Sequence, residues 1–397
     1  MRPVDSPEEA AFRAEAVKWL EANAARPSNP PIAPSAIVAE WSEEDEERKL
    51  AEARAWQRRK YDAGWAGVAW PRAYGGRGGT EIEQLIFDDE ESHFDVPRDA
   101  LAVGLGWCGP ALLLLGDEDQ KQRFVPSLLS GEEVWCQLFS EPGAGSDLAG
   151  LATRASRDGE EWMLEGEKVW TTFAHHSDLG LCIARTDPAA DPHRGLSAFI
   201  IDMKDPAVEV RRIRQMTGAA NFSQVFLDRV RVPDSNRVGD VGDGWRVVIT
   251  TFMFERTAAS FAGGPMVEAL RRLLTGGPHR LDRRRRDEWV RIWITDRILS
   301  YAAMRRLTAL GRGNSPGPEG SLNKLVGTTM LSELYEQAVD LLGAEGMLAG
   351  ADSPQDGEWQ AAFLGTPGLR VGGGTDPIQR NIIAERLLGL PRDLRSD

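Results

Sequence analysis

The sequence predicts an α+β multidomain chain in three parts: helical, then strand-rich, then helical again. Two changes of period carry that prediction. Apolar residues recur at helical spacing up to about residue 132, alternate in short runs from Glu133, and return to helical spacing from Trp245. Length is the third observation, because 397 residues leave room for two or three cores. The expected domains are 1–132, 133–240 and 241–397.

The elements follow in order. Ser6-Pro7-Glu8-Glu9 is a capping box with proline at the first helical position, and Phe12, Ala16, Trp19 and Leu20 follow on one face. Residues 23–35 are rich in Pro, Ala and Asn and read as a loop. Ser42 caps a charged second helix that runs to Tyr61. A turn-rich segment ends at Gly79, and further helices are expected over 81–94, 99–115 and 119–129. Alternating runs at 134–138, 151–156, 162–169, 179–185, 196–203, 208–213 and 222–230 are separated by turns such as Arg157-Asp158-Gly159 and predict an antiparallel β module. From Trp245 the residues Val248, Thr251, Phe252, Arg256, Ala259 and Ala262 share a helical face. A Gly/Pro-rich break at 311–320 separates two long helices, and a capped helix starts near Asp376-Pro377.

Composition narrows the function classes. The net charge of −14 argues against nucleic acid or an anionic membrane as the main partner. The longest apolar stretch, residues 100–115, is broken by glycines and Pro110 and is too short to span a bilayer. Residues 1–15 are polar and acidic, unlike a signal peptide. Cys108, Cys136 and Cys182 sit among apolar residues without metal-ligand spacing, so they read as buried small hydrophobes in a reducing compartment, the cytoplasm. His175-His176 has no third ligand at suitable spacing and reads as a structural loop pair; no metal is expected.

The chemistry concentrates in two segments. Trp135-Cys136-Gln137-Leu138-Phe139-Ser140-Glu141-Pro142-Gly143-Ala144-Gly145-Ser146-Asp147 runs from a buried strand into a glycine-rich turn. Glu167-Lys168-Val169-Trp170-Thr171-Thr172 ends a second strand in a flat aromatic and two hydroxyls. Glycines let backbone approach a planar ligand closely, and exposed amides and hydroxyls can donate to the edge of a heteroaromatic ring. We read the pair as a flavin-binding face.

These motifs, with the α–β–α order, resemble the acyl-CoA dehydrogenase family over essentially the whole chain. Similarity to an actinobacterial subgroup rests on Trp170-Thr171-Thr172-Phe173-Ala174-His175-His176-Ser177-Asp178 and on the segment from Arg380 to Pro391. The resemblance implies an N-terminal helical domain, a middle antiparallel β-barrel domain and a C-terminal four-helix bundle. It implies FAD, with Gln137, Phe139 and Ser140 lining the ring, Gly145 and Ser146 near flavin or acyl thioester, Trp170 beside the isoalloxazine and Thr172 near its redox-active nitrogen. Gly343 and Thr375 match residues near the cofactor pyrophosphate. An acyl-CoA substrate, an electron-transfer flavoprotein as acceptor and a homodimer or homotetramer are implied as well, with a heteromer as a further possibility.

The reaction so implied removes an α-proton while the β-hydrogen leaves as hydride to FAD, giving a trans-2-enoyl thioester. Many family members place the base in the glycine-rich loop before the last helix. That loop here reads Val371-Gly372-Gly373-Gly374-Thr375, with Gly373 at the base position and no carboxylate. Others supply it from a helix after the β module, in a Glu-Arg pair. Phe254-Glu255-Arg256 stands at that point, so Glu255 is the expected base and Arg256 a substrate-side residue. An apolar setting would raise the Glu255 pKa toward working pH. The Gly373 amide could donate to the thioester carbonyl. Asp340 and Pro377 depart from the family's polar residues, and its Arg-x-x-Phe-Gly segment has no clean counterpart; an arginine within 279–288 could replace it, or that segment is a solvated helix start. Arg211, Arg212 and Arg214 read as a solvated strand edge rather than a CoA phosphate site. Three alternatives stay open: a flavin oxidase or monooxygenase of the same fold, a dehydrogenase of carrier-protein thioesters, or a non-catalytic subunit of a heteromeric dehydrogenase.

Overall fold

The computed structural model describes residues 5–28, 32–33, 42–97, 99–258, 263–276, 282–311 and 317–392. Its first third is helical. α1 (Pro7–Asn23) begins with the expected capping box, Ser6 and Glu9 exchanging side-chain-to-backbone bonds. α2 (Glu43–Asp62) is capped by Ser42. α3 (Glu81–Glu91), α4 (Gly109–Leu115) and α5 (Glu118–Ser130) follow. The helix predicted over 99–115 forms continuously over 102–115, with a single π-turn, Gly104–Cys108, running into α4 at Gly109-Pro110. Gly109 has no room for a side chain there, since an added Cβ would meet the Trp70 ring at 2.6 Å.

Eight strands form the middle of the chain: β1 (Trp135–Leu138), β2 (Arg154–Asp158), β3 (Glu161–Thr172), β4 (Leu179–Arg185), β5 (Leu196–Asp202), β6 (Val208–Ile213), β7 (Phe222–Pro233) and β8 (Arg237–Val238). They make one sheet in the order β6-β7-β3-β2-β4-β5-β8, with β1 beside β4. The sheet is mixed rather than purely antiparallel. β1 and β2 both pair parallel to β4, sharing the edge that β5 leaves free. Alternation along β1 explains why the signature strand is rigid. Trp135 and Phe139 enter a core built with α4, α5 and the next helix, while Cys136 and Leu138 enter the core inside the sheet.

α6 (Gly244–Ala258) returns the chain to helix. Val247 and Val248 bury against the first core, so α6 is packed onto the β module rather than onto the later helices alone. α7 (Gly264–Gly276), α8 (Arg283–Gly311), α9 (Glu319–Leu342) and α10 (Glu358–Val371) surround a third core. Leu270, Ile292, Leu334, Tyr335 and Trp359 meet there, which is the expected four-helix arrangement. α11 (Asp376–Ile382) starts at Thr375 after the glycine loop. Among the described residues no helix is long and apolar enough to cross a membrane.

Candidate active site

The turn after β1 is built around a buried ion pair. Lys168, on β3, donates from Nζ to the Phe139 carbonyl at 3.1 Å and to Glu141 Oε1 at 2.8 Å. Glu141 also accepts from the Ala152 and Thr153 amides at 2.6 and 3.0 Å. Burial alone would push the Glu141 carboxyl up, but the Lys168 ammonium and these bonds hold it below its ordinary value. The turn closes on itself through Glu141 and Ala144, whose backbones exchange two 3.0 Å bonds. The Val169 amide donates to the Ser140 carbonyl at 2.9 Å and fixes both signature segments side by side. Lys168, Glu141 and Val169 therefore hold the turn; the sequence reading had singled out its neighbours.

Trp170 follows under strain. Its φ is 59°, a left-handed conformation that costs a non-glycine residue on the order of 1–3 kcal/mol. The β3–β7 register slips between Lys168 and Thr171, a bulge that turns the indole outward. The ring is 58% exposed and touches Phe222 edge-on at 6.1 Å. A large aromatic held outside the core at a backbone cost is the mark of a ligand platform. Of the other residues expected to line the ring, Ser140, Gln137 and Thr172 are half-buried, and Gly145 and Ser146 are exposed. Side chains added at Gly143 or Gly145 would meet no protein atom, so nothing within the chain demands glycine there. Phe139 is different: its ring packs against Phe252 of α6 at 5.7 Å, leaving only its backbone for a ligand.

Glu255 lies one turn beyond Phe252 on the face that carries Val248 and Thr251. It is half-buried, and desolvation pushes its carboxyl up to about 7 against the pull of Arg256 and Lys324. Arg256, also half-buried, is lowered by burial in spite of Glu255. The carboxylate meets the glycine loop: a Cβ built at Gly373 would lie 3.1 Å from Glu255 Oε1. Gly373 and Gly374 have φ of 65° and 93°, a run that only glycine adopts readily.

Two side chains absent from the sequence reading clamp that loop. Lys324, buried on α9, donates to the Gly374 carbonyl at 2.6 Å and the Arg370 carbonyl at 3.3 Å. Gln379, buried on α11, donates to the Gly373 and Gly374 carbonyls at 2.8 and 3.1 Å. No local motif could have found them, since both point inward from ordinary helix positions.

Gly343 and Thr375, the residues expected near the cofactor pyrophosphate, stand in the C-terminal helical part. Gly343 is an exposed C-cap of α9, and Thr375 is the half-buried N-cap of α11. Arg285 reaches Asp340 at 3.6 Å, while Arg283 and Arg284 face solvent and pair with Asp287 and Glu288. Residues 277–281 of the basic segment lie outside the described residues. Arg212 departs from the solvated-edge expectation by pairing with buried Glu46 of α2. Glu46 of α2 also lies beside the His175-His176 pair, a third group brought in from outside the local sequence.

Three family models match in succession: the acyl-CoA dehydrogenase N-terminal domain over 6–132, the middle domain over 136–230 and the C-terminal domain over 242–388. The chain belongs to the acyl-CoA dehydrogenase family. Members are oxidoreductases acting on CH–CH groups and are generally FAD-dependent flavoproteins. Acyl-CoA dehydrogenase IpdE1 of Mycobacterium tuberculosis is 36% identical over 97% of this chain and 98% of its own. Acyl-CoA dehydrogenase FadE34 of the same organism is 40% identical over 83% of this chain, but the match spans only 45% of that relative. The solved structure called Tcur3481-Tcur3483 steroid ACAD superposes with a TM-score of 0.80 at 25% identity, covering 99% of this chain and 100% of its own.

Proposed function

We propose that this acyl-CoA dehydrogenase carries out FAD-dependent α,β-dehydrogenation of an acyl-CoA thioester, with Glu255 as the base. The observation that carries the reading is Glu255 itself: a carboxyl raised to about 7 by desolvation and set against the Gly373 backbone. At that value about half of it is ionised and able to accept a proton near pH 7. FAD, when bound, supplies the two-electron acceptor for the β-hydride. Gln137, the Phe139 backbone, Ser140, Gly145, Ser146, Trp170 and Thr172 would hold its ring. Gly343 and Thr375 would serve its phosphate end. The exposed, strained Trp170 fits a flat ring system better than any group within the chain.

The remaining steps belong to the chain's own side chains. A Glu255 oxygen takes the α-proton. The Gly373 amide donates to the thioester carbonyl as enolate-like charge develops. Lys324 and Gln379 keep the peptides after Gly373 from turning away. Arg256 and Ser146 stand on the substrate side. We place the domain limits at 1–132, 133–240 and 241–397, with electrons leaving to an electron-transfer flavoprotein. The three buried free cysteines suit a reducing cytoplasm.

A sterol-like acyl group is the substrate class we favour, because the superposed structure is named a steroid enzyme. Trp293, Ile294, Ile298 and Tyr301 leave an exposed apolar stretch on α8, which suits assembly through the last domain. The joined name of that same relative keeps a heteromer in view. A non-catalytic subunit would not need Glu255 tuned in this way.

Anaerobic titration of the purified protein with linear, branched and steroid side-chain acyl-CoAs tests the reading. A yellow protein bleached by the steroid thioesters is expected. A colourless protein, or one whose turnover matches oxygen consumption, would overturn it in favour of the partner-subunit or oxidase reading.

A further inference from the structure

Two sequence-adjacent histidines and one distant glutamate converge beside β6 and β7. His175 and His176 form a 3₁₀ turn just after β3, with Phe173 before them at φ 51°. Glu46 comes from the first turn of α2 and is 6% exposed. Glu46 Oε2 lies 3.5 Å from His175 Nε2 and 3.4 Å from His176 Nε2. All three of these atoms are buried and lack a hydrogen-bond partner. Arg212 takes the other Glu46 oxygen, Oε1. His175 Nδ1 faces Ser223 Oγ at 3.3 Å. Lys204 also acts on both imidazoles from a distance.

The spacing discriminates between two accounts. A charge-assisted N–H to carboxylate bond would draw the atoms to about 2.7–2.9 Å. Zinc bonds of about 2.0–2.1 Å at tetrahedral angles would separate ligand atoms by about 3.3 Å. The two Glu46 separations, 3.5 and 3.4 Å, lie nearer the second value, and all three atoms fall within 4.8 Å of one another. Two imidazole nitrogens and a carboxylate oxygen are a donor set suited to zinc, with a fourth position for water. The surroundings also look like outer-shell support. Ser223 fixes the ring of His175, which would donate Nδ1–H to it, and Arg212 orients the carboxylate.

We propose that Glu46, His175 and His176 form a zinc site, completed by water, that ties α2 to the end of β3. Its place matters because β3 delivers Trp170 and Thr172 only a few residues earlier. An ion there would anchor the helical first domain to the strained platform from behind. The proposal is independent of the reaction assigned above.

The test uses the untagged, full-length protein, stripped by chelator dialysis and titrated with zinc chloride under calorimetry and elemental analysis. A single zinc ion per chain is expected, together with a zinc-dependent rise in melting temperature. E46Q and H176A should each lose both signals while keeping flavin content and circular dichroism. S223A should weaken binding by ~10–100-fold, as outer-shell losses do. Equal zinc content in the wild-type protein and E46Q, or no zinc-dependent shift in wild-type melting, would overturn the site. If H176A failed to fold, E46Q and S223A would still decide it.

Discussion

Changing Glu255 to Gln removes one titratable group and leaves the side-chain volume nearly unchanged. The carboxyl is raised from 4.5 to about 7, chiefly by desolvation. The folded chain therefore binds that proton more tightly than the unfolded chain. The corresponding stabilisation is full below about pH 4.5 and is lost as pH rises through about 7. Keeping the group ionised above that point costs at most about 3 kcal/mol, since part of the side chain still sees water. Glutamine carries no such cost, so the variant should gain urea resistance over the wild type at pH 8 and match it near pH 4.5. Catalysis should move the opposite way, with kcat down by ~10²–10⁴-fold, the usual share of a general base. Wild-type kcat/KM should fall about tenfold per pH unit below about 7, because the free enzyme's base is then protonated. Stopped-flow bleaching of the flavin band reads the rate, and urea titrations at several pH values read the stability. Bleaching by the variant at the wild-type rate would refute the base. An unchanged pH dependence of stability would refute the desolvated setting even if the rate fell.

Changing Lys324 to Met should unclamp the glycine loop and remove a cation that lowers Glu255, so the acid limb of the kcat/KM profile should move to higher pH; kinetics across pH check both. Lys168→Met should strand Glu141 in the core and cost about 3–5 kcal/mol by urea unfolding, with part of the loss returned by adding Glu141→Gln. Trp170→Gly should relieve the left-handed backbone and leave unfolding within about 1 kcal/mol of wild type, while flavin retention on gel filtration falls sharply.

Most of the architecture was legible because it depends on local period and on caps. The capping box at Ser6, the Ser42 cap and the spans of β4 and β6 emerge as expected. The parallel pairing of β1 and β2 with β4 was hidden, since strand direction depends on which edge remains free and not on alternation. The same division holds at the site. Ser140, Trp170 and Glu255 announce themselves through turn chemistry, an aromatic beside hydroxyls and a carboxylate among apolar residues. Lys168, Lys324 and Gln379 do not, because an inward-pointing polar residue on a regular element looks like any solvated one in sequence. Glu46 lies 129 residues before His175 and joins it only when α2 docks on the β module.

The loop and the helix offer two routes to one point in space. By resemblance, the base in many relatives sits at the position of Gly373, whereas the base we propose here rises from α6. The distance explains why one chain does not carry both. A side chain at 373 would begin 3.1 Å from Glu255 Oε1, and a second carboxylate there would raise the first well beyond a useful value. A residue at 373 must also adopt φ near 65°, which a β-carbon resists. Glycine at 373 is therefore the steric complement of glutamate at 255. It clears the space that the helix-borne carboxylate fills and leaves a bare amide where developing negative charge needs a donor.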